Sequence, residues 1–418
     1  MRAAATLCVL LLPLFLMHGR AIAEVLIATA GLLFLASCAL QRDWAWTRTL
    51  WVRVGAAWWI WLVFCSIPGI GIGGWHSLLS ALADVRLLIL VAALEWWILQ
   101  PESARRWLGR VLLASALWIG LNAWIQFATG RDLLGWPRAV EGELTGPFKN
   151  PRAAAPLSRL VFPLLLPGLA RLMARGRWVW AIIAAALAVG TILLIGQRMP
   201  LVLTVFGLLV SALMLRRLRL PVGASLVVGA VLLAATPVIS PPVWHRVVDK
   251  FSHQMEGFAD SDYGLILRRA LVITEQSPIT GRGFAGFRNA CADPATFQGW
   301  PGDTKVPDGG GLTACNIHPH NHFLEALTDA GIPGLVLFCA LILCWWAGLL
   351  RGLLRHPSPL RVGLFVAALI QEWPIASASS FRALEIGGFF FVLLGWGLAE
   401  ARYPSKSATD PWSSRPIT

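Results

Sequence analysis

The sequence predicts an all-α membrane protein that crosses the bilayer about twelve times and carries one large extracytoplasmic loop with short helices. Hydrophobic residues make up 57% of the chain and charged residues only 14%, whereas soluble domains carry about 25% charged residues. Long apolar stretches recur along the whole chain, which excludes a single anchor on a soluble domain. The 22 tryptophans fit the same class, because Trp concentrates at membrane interfaces.

Twelve apolar runs are long enough, or nearly so, to cross a hydrocarbon core about 30 Å thick. The first resembles a secretory signal, since Arg2 precedes the apolar run Ala3–Met17. We expect an uncleaved span instead, because the run Ile22–Leu40 follows at once. The fourth run is the most polar, with Asp84 and Arg86 near its start. The predicted spans are residues 3–17, 22–40, 54–72, 82–99, 111–129, 157–173, 178–196, 200–215, 221–239, 331–350, 362–378 and 384–400.

Basic residues indicate how the spans are oriented. Clusters of arginine occur in every second loop, and such clusters mark the cytoplasmic side of a membrane protein. With twelve spans they all fall on one side, so we predict that both termini are cytoplasmic. The clusters are Arg42, Arg48 and Arg53; Arg105, Arg106 and Arg110; Arg171, Arg175 and Arg177; Arg216, Arg217 and Arg219; Arg351, Arg355 and Arg361; and, in the tail, Arg402, Lys406 and Arg415.

Two loops on the opposite side are long. Gly130–Pro156 is the shorter, and Ser240–His322 runs over more than eighty residues. A structureless connection of that length is uncommon unless it has a function. We therefore divide the chain into spans one to nine (residues 1–239), a large outer loop (240–322), spans ten to twelve (323–401) and a cytoplasmic tail (402–418).

The net charge of +13 does not indicate a nucleic-acid-binding protein. Most basic residues lie in short clusters between apolar runs, where positive charge determines membrane orientation rather than binding a polyanion. Neither a Gly-rich phosphate-binding loop nor a paired-carboxylate motif is visible in the sequence. We expect no nucleic acid, no cofactor and no metal.

Cysteine usage predicts one disulfide. Cys8, Cys38, Cys65, Cys339 and Cys344 lie in apolar runs, where cysteine packs as a small hydrophobe. Cys291 and Cys315 both lie in the large outer loop, an oxidising environment if the membrane is a bacterial inner membrane. A bond between them closes a loop of about 25 residues, a constraint on the order of 3 kcal/mol in the chain-entropy model.

The densest group of polar residues lies where the large outer loop returns to the membrane, in Ile317–Gly334. We expect Pro319 in the first turn of a helix that continues through Phe323–Asp329 and stops at Gly331 and Pro333. That places His320 near the helix start. Three roles are open for His318, His320 and His322: metal ligation by residues one turn apart, solvated surface side chains, and a general base.

Outer-loop arginines are candidates for binding a phosphate, because a guanidinium fork matches its geometry. Arg198 lies in a very short turn between two spans, where an arginine is either functional or a snorkelling interface residue. Arg268 and Arg269 precede a helix-like stretch, Ala270–Gln276, that stops at Ser277 and is followed by a flexible turn, Gly281–Phe287. For that pair the other interpretation is a solvated helix face. Secondary candidates are His318, Asn321, His322, Arg138 and Arg152.

These residues resemble a known family, the O-antigen ligase and O-antigen polymerase superfamily of bacterial membrane glycosyltransferases. Its ligase motif is His-[Asn/Ser/Gln], nine residues, Gly, two residues, Gly. Here His320-Asn321 is followed by nine residues, Gly331, Ile332-Pro333 and Gly334. The stretch S-P-I-T-G-R-G-F upstream is also similar. The threonines that often follow the motif are replaced by Leu335 and Val336.

The resemblance implies a GT-C-like architecture and a site for a lipid-linked glycan. His320 matches the family's essential histidine, Arg198 its short-loop arginine, and Arg268 or Arg269 its long-loop arginine. In that mechanism the arginines stabilise a pyrophosphate leaving group without a metal, and His320 accepts a proton from the attacking sugar hydroxyl, with inversion at the anomeric centre.

The resemblance favours an O-antigen ligase that transfers O-polysaccharide from undecaprenyl pyrophosphate to the lipid A-core oligosaccharide. We expect a monomer in the bacterial inner membrane with its site facing the periplasm. An O-antigen polymerase with the same donor is the runner-up. A glycan-lipid transporter or flippase is the alternative from another class, and it requires functional polar residues at the middle of the spans; the few charges near the spans are Asp84, Arg86, Glu95 and Glu372.

Overall fold

The computed structural model describes residues 1–297, 312, 315–316, 318–376, 380 and 382–404. Within these residues the chain is helical and contains no β-strand. Part of the predicted outer loop, the last two residues of the predicted eleventh span, and most of the predicted tail with Lys406 and Arg415 lie outside the described residues.

Among the described residues, nine α-helices precede the segment predicted as the large outer loop, four lie in it, and three follow it. The first nine are α1 (Arg2–His18), α2 (Arg20–Gln41), α3 (Leu50–Cys65), α4 (Gly74–Ala93), α5 (Glu102–Thr129), α6 (Ala154–Ala174), α7 (Trp178–Ile195), α8 (Arg198–Met214) and α9 (Arg219–Ile239). The others are α10 (Pro241–Trp244), α11 (Lys250–Glu256), α12 (Asp262–Gln276), α13 (Gly286–Ala290), α14 (His322–Leu350), α15 (Pro359–Gln371) and α16 (Leu384–Arg402).

Eight of the described helical segments are long and apolar enough to cross a membrane: Arg20–Gln41, Gly74–Ile98, Glu102–Thr129, Ala154–Ala174, Trp178–Ile195, Arg216–Ile239, His322–Leu350 and Leu384–Arg402. The other four predicted spans fall on shorter apolar helices, α1, α3, α8 and α15. Each predicted span therefore overlaps an apolar helix, and the protein is a polytopic, all-helical membrane protein. Twelve crossings remain a prediction.

Several span boundaries were predicted wrongly. The third span was placed at residues 54–72, but α3 ends at Cys65. Pro68 lacks a backbone N–H, and Gly69 has a φ of 95°, so a turn rather than a helix follows. The fourth span was placed at 82–99, but α4 begins at Gly74 and continues through a π-helical turn to Ile98.

Both described ends of the chain meet at one end of the helix bundle, which we call the terminal end. Arg2 donates to Gln100 over 3.0 Å, and Gln100 donates to the Tyr403 hydroxyl over 3.0 Å. The buried Arg105 pairs there with Glu400 at 2.9 Å. This meeting agrees with an even number of crossings.

The opposite end, which we call the loop end, is organised by a break in α14. Gly331 has φ 66° and ψ −167°, which interrupts the helix before it resumes toward Leu350. The break leaves carbonyl groups without their helical partners. Arg282 N–H donates to the Thr328 carbonyl and Gly283 N–H to the Asp329 carbonyl, both over 2.9 Å. The helical piece that begins at His322 therefore stops at Gly331, as predicted. A second helical piece of α14 follows the break and continues to Leu350.

Two further bonds complete this contact. The Trp61 indole donates to the Ala330 carbonyl over 2.8 Å, and Ile332 N–H donates to the Pro278 carbonyl over 2.8 Å. The turn Pro278–Gly283 thus supplies both donors and an acceptor to the broken helix. We call this contact the turn–helix joint. It unites the two sequence motifs, S-P-I-T-G-R-G-F and His-Asn-x9-Gly, in one structural unit.

Gly331→Ala should destabilise the protein by more than about 2 kcal/mol. A non-glycine residue in the left-handed region costs roughly 1–2 kcal/mol, and a methyl group there would also overlap the Ile279 carbonyl. Thermal unfolding of the purified protein in detergent measures the effect.

The matched control is Gly120→Ala in α5, where an added methyl group meets no atom within 4 Å. Alanine should stabilise that helix by up to about 1 kcal/mol. Equal unfolding temperatures for the two variants would contradict the role given to Gly331.

Candidate functional site

His320 does not lie on a helix, contrary to the sequence prediction. Helix α14 begins at His322, and the Asn321 side-chain oxygen accepts hydrogen bonds from Phe323 N–H over 2.9 Å and Leu324 N–H over 3.1 Å. Asparagine is a strong N-cap residue, so it fixes the helix start three residues after Pro319. His320 precedes the cap with a φ of 53°, a strained conformation that recurs at functional sites.

The His320 ring is surrounded by polar and aromatic groups. Its Nε2 lies 2.9 Å from the Asn316 Nδ2. The rings of His318 and Tyr263 meet it edge to face, at centroid distances of 4.4 and 5.5 Å. The His320 N–H also donates to His318 Nδ1 over 3.3 Å. Two neighbouring residues and the helix α12, which carries Tyr263, therefore position the ring.

Burial, together with the nearby His318, lowers the pKa of His320 to about 4. Burial also lowers the pKa of His318, while Glu325 opposes that shift. Both shifts favour the uncharged ring near neutral pH, because desolvation penalises the imidazolium. His320 is therefore in the form that can accept a proton.

His322 and Asn321 have structural partners. The His322 Nδ1 lies 2.9 Å from Glu372 Oε2, and both side chains are almost completely buried. Asn321 donates to the Pro374 carbonyl over 2.7 Å in addition to capping α14. These contacts join the start of α14 to the end of α15.

The disulfide between Cys291 and Cys315, with Cα atoms 5.5 Å apart, lies next to this site in sequence. Cys315 precedes Asn316, whose amide contacts His320. Cys291 belongs to a small apolar core formed by α12 and α13 with Ile266, Ala270, Ile273, Phe287 and Ala290. The disulfide thus ties the segment before His320 to this loop core.

Arg268 and Arg269 were predicted ahead of a helix, but both lie inside α12. Arg269 is fully buried. Its guanidinium lies 4.6 Å from the centroid of the Phe297 ring and donates to the Cys291 carbonyl over 3.4 Å. Arg268 is half-buried. Of the adjacent pair, Arg269 belongs to the loop core, so Arg268 is the better candidate for contact with a ligand.

Arg198 is the first residue of α8, directly after a two-residue connection from α7. Its guanidinium donates to the side-chain oxygen of Gln254 in α11. This contact brings the short turn predicted to hold Arg198 against the large outer loop.

Arg138 and Arg152 are held elsewhere. Arg138 donates to the Phe127 carbonyl over 2.6 Å and lies over that ring, and Arg152 pairs with Glu385 at 2.9 Å. Among the described residues, the structure does not bring either of these secondary candidates to His320. It likewise places no group of three His, Cys, Asp or Glu side chains where they could hold a metal ion.

Sequence reasoning missed a group of charges beside Arg198. Arg246 contacts Glu141 and pairs with Glu143 at 2.8 Å, while Lys250 pairs with Glu141 at 2.8 Å. We call Arg198, Arg246 and Lys250 the basic cluster. Burial raises the pKa of Glu143 to about 7, although Lys250 and Arg198 favour its charged form. The spacing of Arg246 and Lys250, one helical turn apart, was the available sequence signal.

Tyr263 is near both Arg246 of the basic cluster and His320. Burial lowers the pKa of Arg246, and the nearby Tyr263 opposes that shift. The same tyrosine meets the His320 ring at 5.5 Å. A cationic region and an uncharged imidazole are therefore adjacent at the loop end.

Arg382 is a second residue that the sequence did not single out. It pairs with Asp84 at 3.0 Å, Asp329 at 2.8 Å and Glu325 at 3.2 Å. These ion pairs are buried and join α4, α14 and the segment before α16. Asp329 also accepts from Gly286 N–H over 2.7 Å, so the ion pairs reinforce the turn–helix joint.

The bundle defines a polytopic membrane protein, and the candidate site residues His320 and Arg198 lie at its loop end. Residues 183–339 match the family model described as O-antigen ligase, which supports the place of this chain in the O-antigen ligase and polymerase superfamily. The matched segment contains Arg198, Arg268, Arg269 and His320. No curated protein matches the chain.

Arg269→Ala should lower the free energy of unfolding by roughly 2 kcal/mol or more, because it removes a fully buried side chain and leaves a cavity. Arg268→Ala should lower the free energy of unfolding less than Arg269→Ala does, and it should reduce transfer activity more. Thermal unfolding and a transfer assay on both variants separate the two roles. Equal destabilisation by the two substitutions would contradict this division.

Proposed function

We propose that this protein is an O-antigen ligase that transfers O-polysaccharide from undecaprenyl pyrophosphate to the lipid A-core oligosaccharide. The proposal places the loop end at the periplasmic face of a bacterial inner membrane. The observation that carries it is that Tyr263 contacts the His320 ring and lies near Arg246 of the basic cluster, all within residues 183–339, which match the O-antigen ligase family model.

His320 acts as the general base in this proposal. Its uncharged imidazole takes the proton of the acceptor sugar hydroxyl while that oxygen attacks the anomeric carbon of the donor. The bond from this carbon to the pyrophosphate oxygen breaks, and the pyrophosphate leaves with the bonding electrons. A single displacement inverts the anomeric centre. General base catalysis typically contributes ~10²–10⁴-fold to the rate.

Arginine stabilises the leaving group. Negative charge develops on the pyrophosphate as the bond breaks, and cations fixed in a water-poor site stabilise that charge most effectively. Arg198 and Arg268 are the residues we assign to it, and their planar forks can each bind two phosphate oxygens.

A polymerase would use the same donor with a second carrier-linked glycan as acceptor, and the matched family includes both activities. A transporter would need functional charges within the bundle. Buried charges are present, but Arg382 pairs with Asp84, Glu325 and Asp329, an arrangement that fits structural support. The enzyme is therefore our first proposal.

His320→Ala should abolish transfer while leaving expression intact, because loss of a base affects the transition state rather than ground-state binding. The assay is the lipopolysaccharide profile of a deletion strain carrying each variant. His76→Ala, which changes an exposed loop-end histidine, is the control and should restore O-antigen fully.

In the same assay, complete loss of O-antigen with retained lipid-linked polymer identifies a ligase. A single O-unit capping the core identifies a polymerase. Near-normal O-antigen in the His320→Ala strain would contradict the assignment of the base.

The pH dependence of transfer should reflect the lowered pKa of His320. The base is lost on protonation, so kcat/KM for the acceptor at saturating donor should stay constant from about pH 8 to about pH 5.5 and then fall, unlike an ordinary histidine near 6.5. Purified protein and lipid-linked glycan allow the measurement. A decline centred near pH 6.5 would contradict the buried environment described for this ring.

A further inference from the structure

The ion pairs that Glu141 and Glu143 form beside Arg198 resemble a bound anion more than an ordinary contact between two loops. The paired cations are Arg246 and Lys250, one helical turn apart at the π-helical turn before α11 and the start of α11. Arg198, at the start of α8, adds a nearby positive charge that favours the charged form of Glu143. Both anions come from one short segment, Glu141-Gly142-Glu143, in the connection between α5 and α6. The segment therefore inserts two negative charges into a ready-made cationic site.

The two carboxylates share one guanidinium, a contact that the two linked phosphates of a pyrophosphate could also make. Arg246 uses one terminal nitrogen for Glu141 and the other for Glu143, and Lys250 adds a bond to Glu141. Arginine binds carboxylates and phosphates through the same fork geometry. A site that holds two adjacent carboxylates in this way has the charge and the donors to hold two linked phosphates.

The backbone of this segment is fixed, since Ala139 N–H donates to the Glu143 carbonyl over 2.9 Å and Leu144 N–H to the Ile195 carbonyl over 3.1 Å. Its two carboxylates are the part that a competing anion can displace.

The side chain of Glu141 is 47% exposed, so water screens its ion pairs. Gly142, with a φ of 83°, allows the chain to turn sharply between the two carboxylates. Burial raises the pKa of Glu143 to about 7 even beside Lys250 and Arg198, so its charged form is only weakly favoured near neutral pH.

The location also suits the donor. Arg246 lies near Tyr263, whose ring meets that of His320. A pyrophosphate held by the basic cluster would therefore lie in the same region of the loop end as the candidate base.

We propose that Arg246 and Lys250 bind the donor pyrophosphate together with Arg198, and that Glu141 and Glu143 occupy this site until the donor displaces them. This inference rests on the proposed function, in which a pyrophosphate-linked glycan is the donor. The carboxylate segment competes with the donor and sets its apparent affinity, since a site that is partly occupied binds more weakly in proportion.

Inorganic pyrophosphate is the probe, and calorimetric titration of the purified full-length protein measures its binding. The double variant Glu141→Gln/Glu143→Gln should bind pyrophosphate at least about fivefold more tightly, because the competing charges are gone. Arg246→Gln should bind it at least about tenfold more weakly, since a charge-assisted bidentate contact is lost. Glu385→Gln, which removes a different loop-end ion pair, should bind as the unaltered protein does.

Unchanged or weaker binding in the double variant would overturn the displacement, and unchanged binding in Arg246→Gln would overturn the site. If the double variant does not fold, hydrogen exchange on the unaltered protein decides the question. Pyrophosphate should then increase exchange in residues 139–146, and slower or unchanged exchange there would overturn the proposal.

The outcome is separable from that of the proposed function. Pyrophosphate binding with these responses but no glycan transfer would remove the ligase proposal alone. Glycan transfer together with unchanged pyrophosphate affinity in the Glu141→Gln/Glu143→Gln variant would remove this inference alone.

Discussion

The break in α14 at Gly331 is the constraint on which the loop end depends. A helix that stops inside a protein leaves carbonyl groups that must find donors elsewhere, because unpaired buried polar groups are costly. Here the turn Pro278–Gly283 and the indole of Trp61 supply those donors. The large outer loop is thereby fixed to the first turns of α14, and the segment carrying His320 is held beside α12. The nine residues that the motif places between Asn321 and Gly331 are that first helical piece, His322–Ala330.

Buried ion pairs also fix the first turns of α14 to the neighbouring helices. Arg382 joins three carboxylates from α4 and α14, and His322 meets Glu372 across α14 and α15. Buried ion pairs are weak contributors to net stability, but removing one partner is strongly destabilising, so they favour one arrangement over others. The proposed function requires a site that aligns two substrates and a leaving group, and such a site needs fixed geometry because small displacements of reacting groups cost large factors in rate.

Sequence patterns predicted the helices well and the charge partners poorly. Apolar periodicity is local, so each predicted span overlaps a helix, and glycine chemistry predicted the stop at Gly331. The helix start was missed because the Asn321 side chain caps the helix, so Pro319 lies before the first turn; the Asn321 amide also donates to the distant Pro374 carbonyl. Arg246 and Glu141, 105 residues apart in sequence, meet only through the fold. The burial of Arg269 in the loop core, where it donates to the Cys291 carbonyl, is likewise a contact that no local pattern describes.

The most direct test of the central claim is a cryo-electron microscopy structure of the protein in a lipid nanodisc with undecaprenyl pyrophosphate bound. Our account predicts both phosphates at the loop end, within about 2.7–3.2 Å of guanidinium nitrogens of Arg198 and Arg268. His320 should face the side of the pyrophosphate from which the glycan is displaced, with Tyr263 near both the histidine and the basic cluster. Phosphates bound instead at the terminal end of the bundle, beside Glu95 and Arg402, would contradict it.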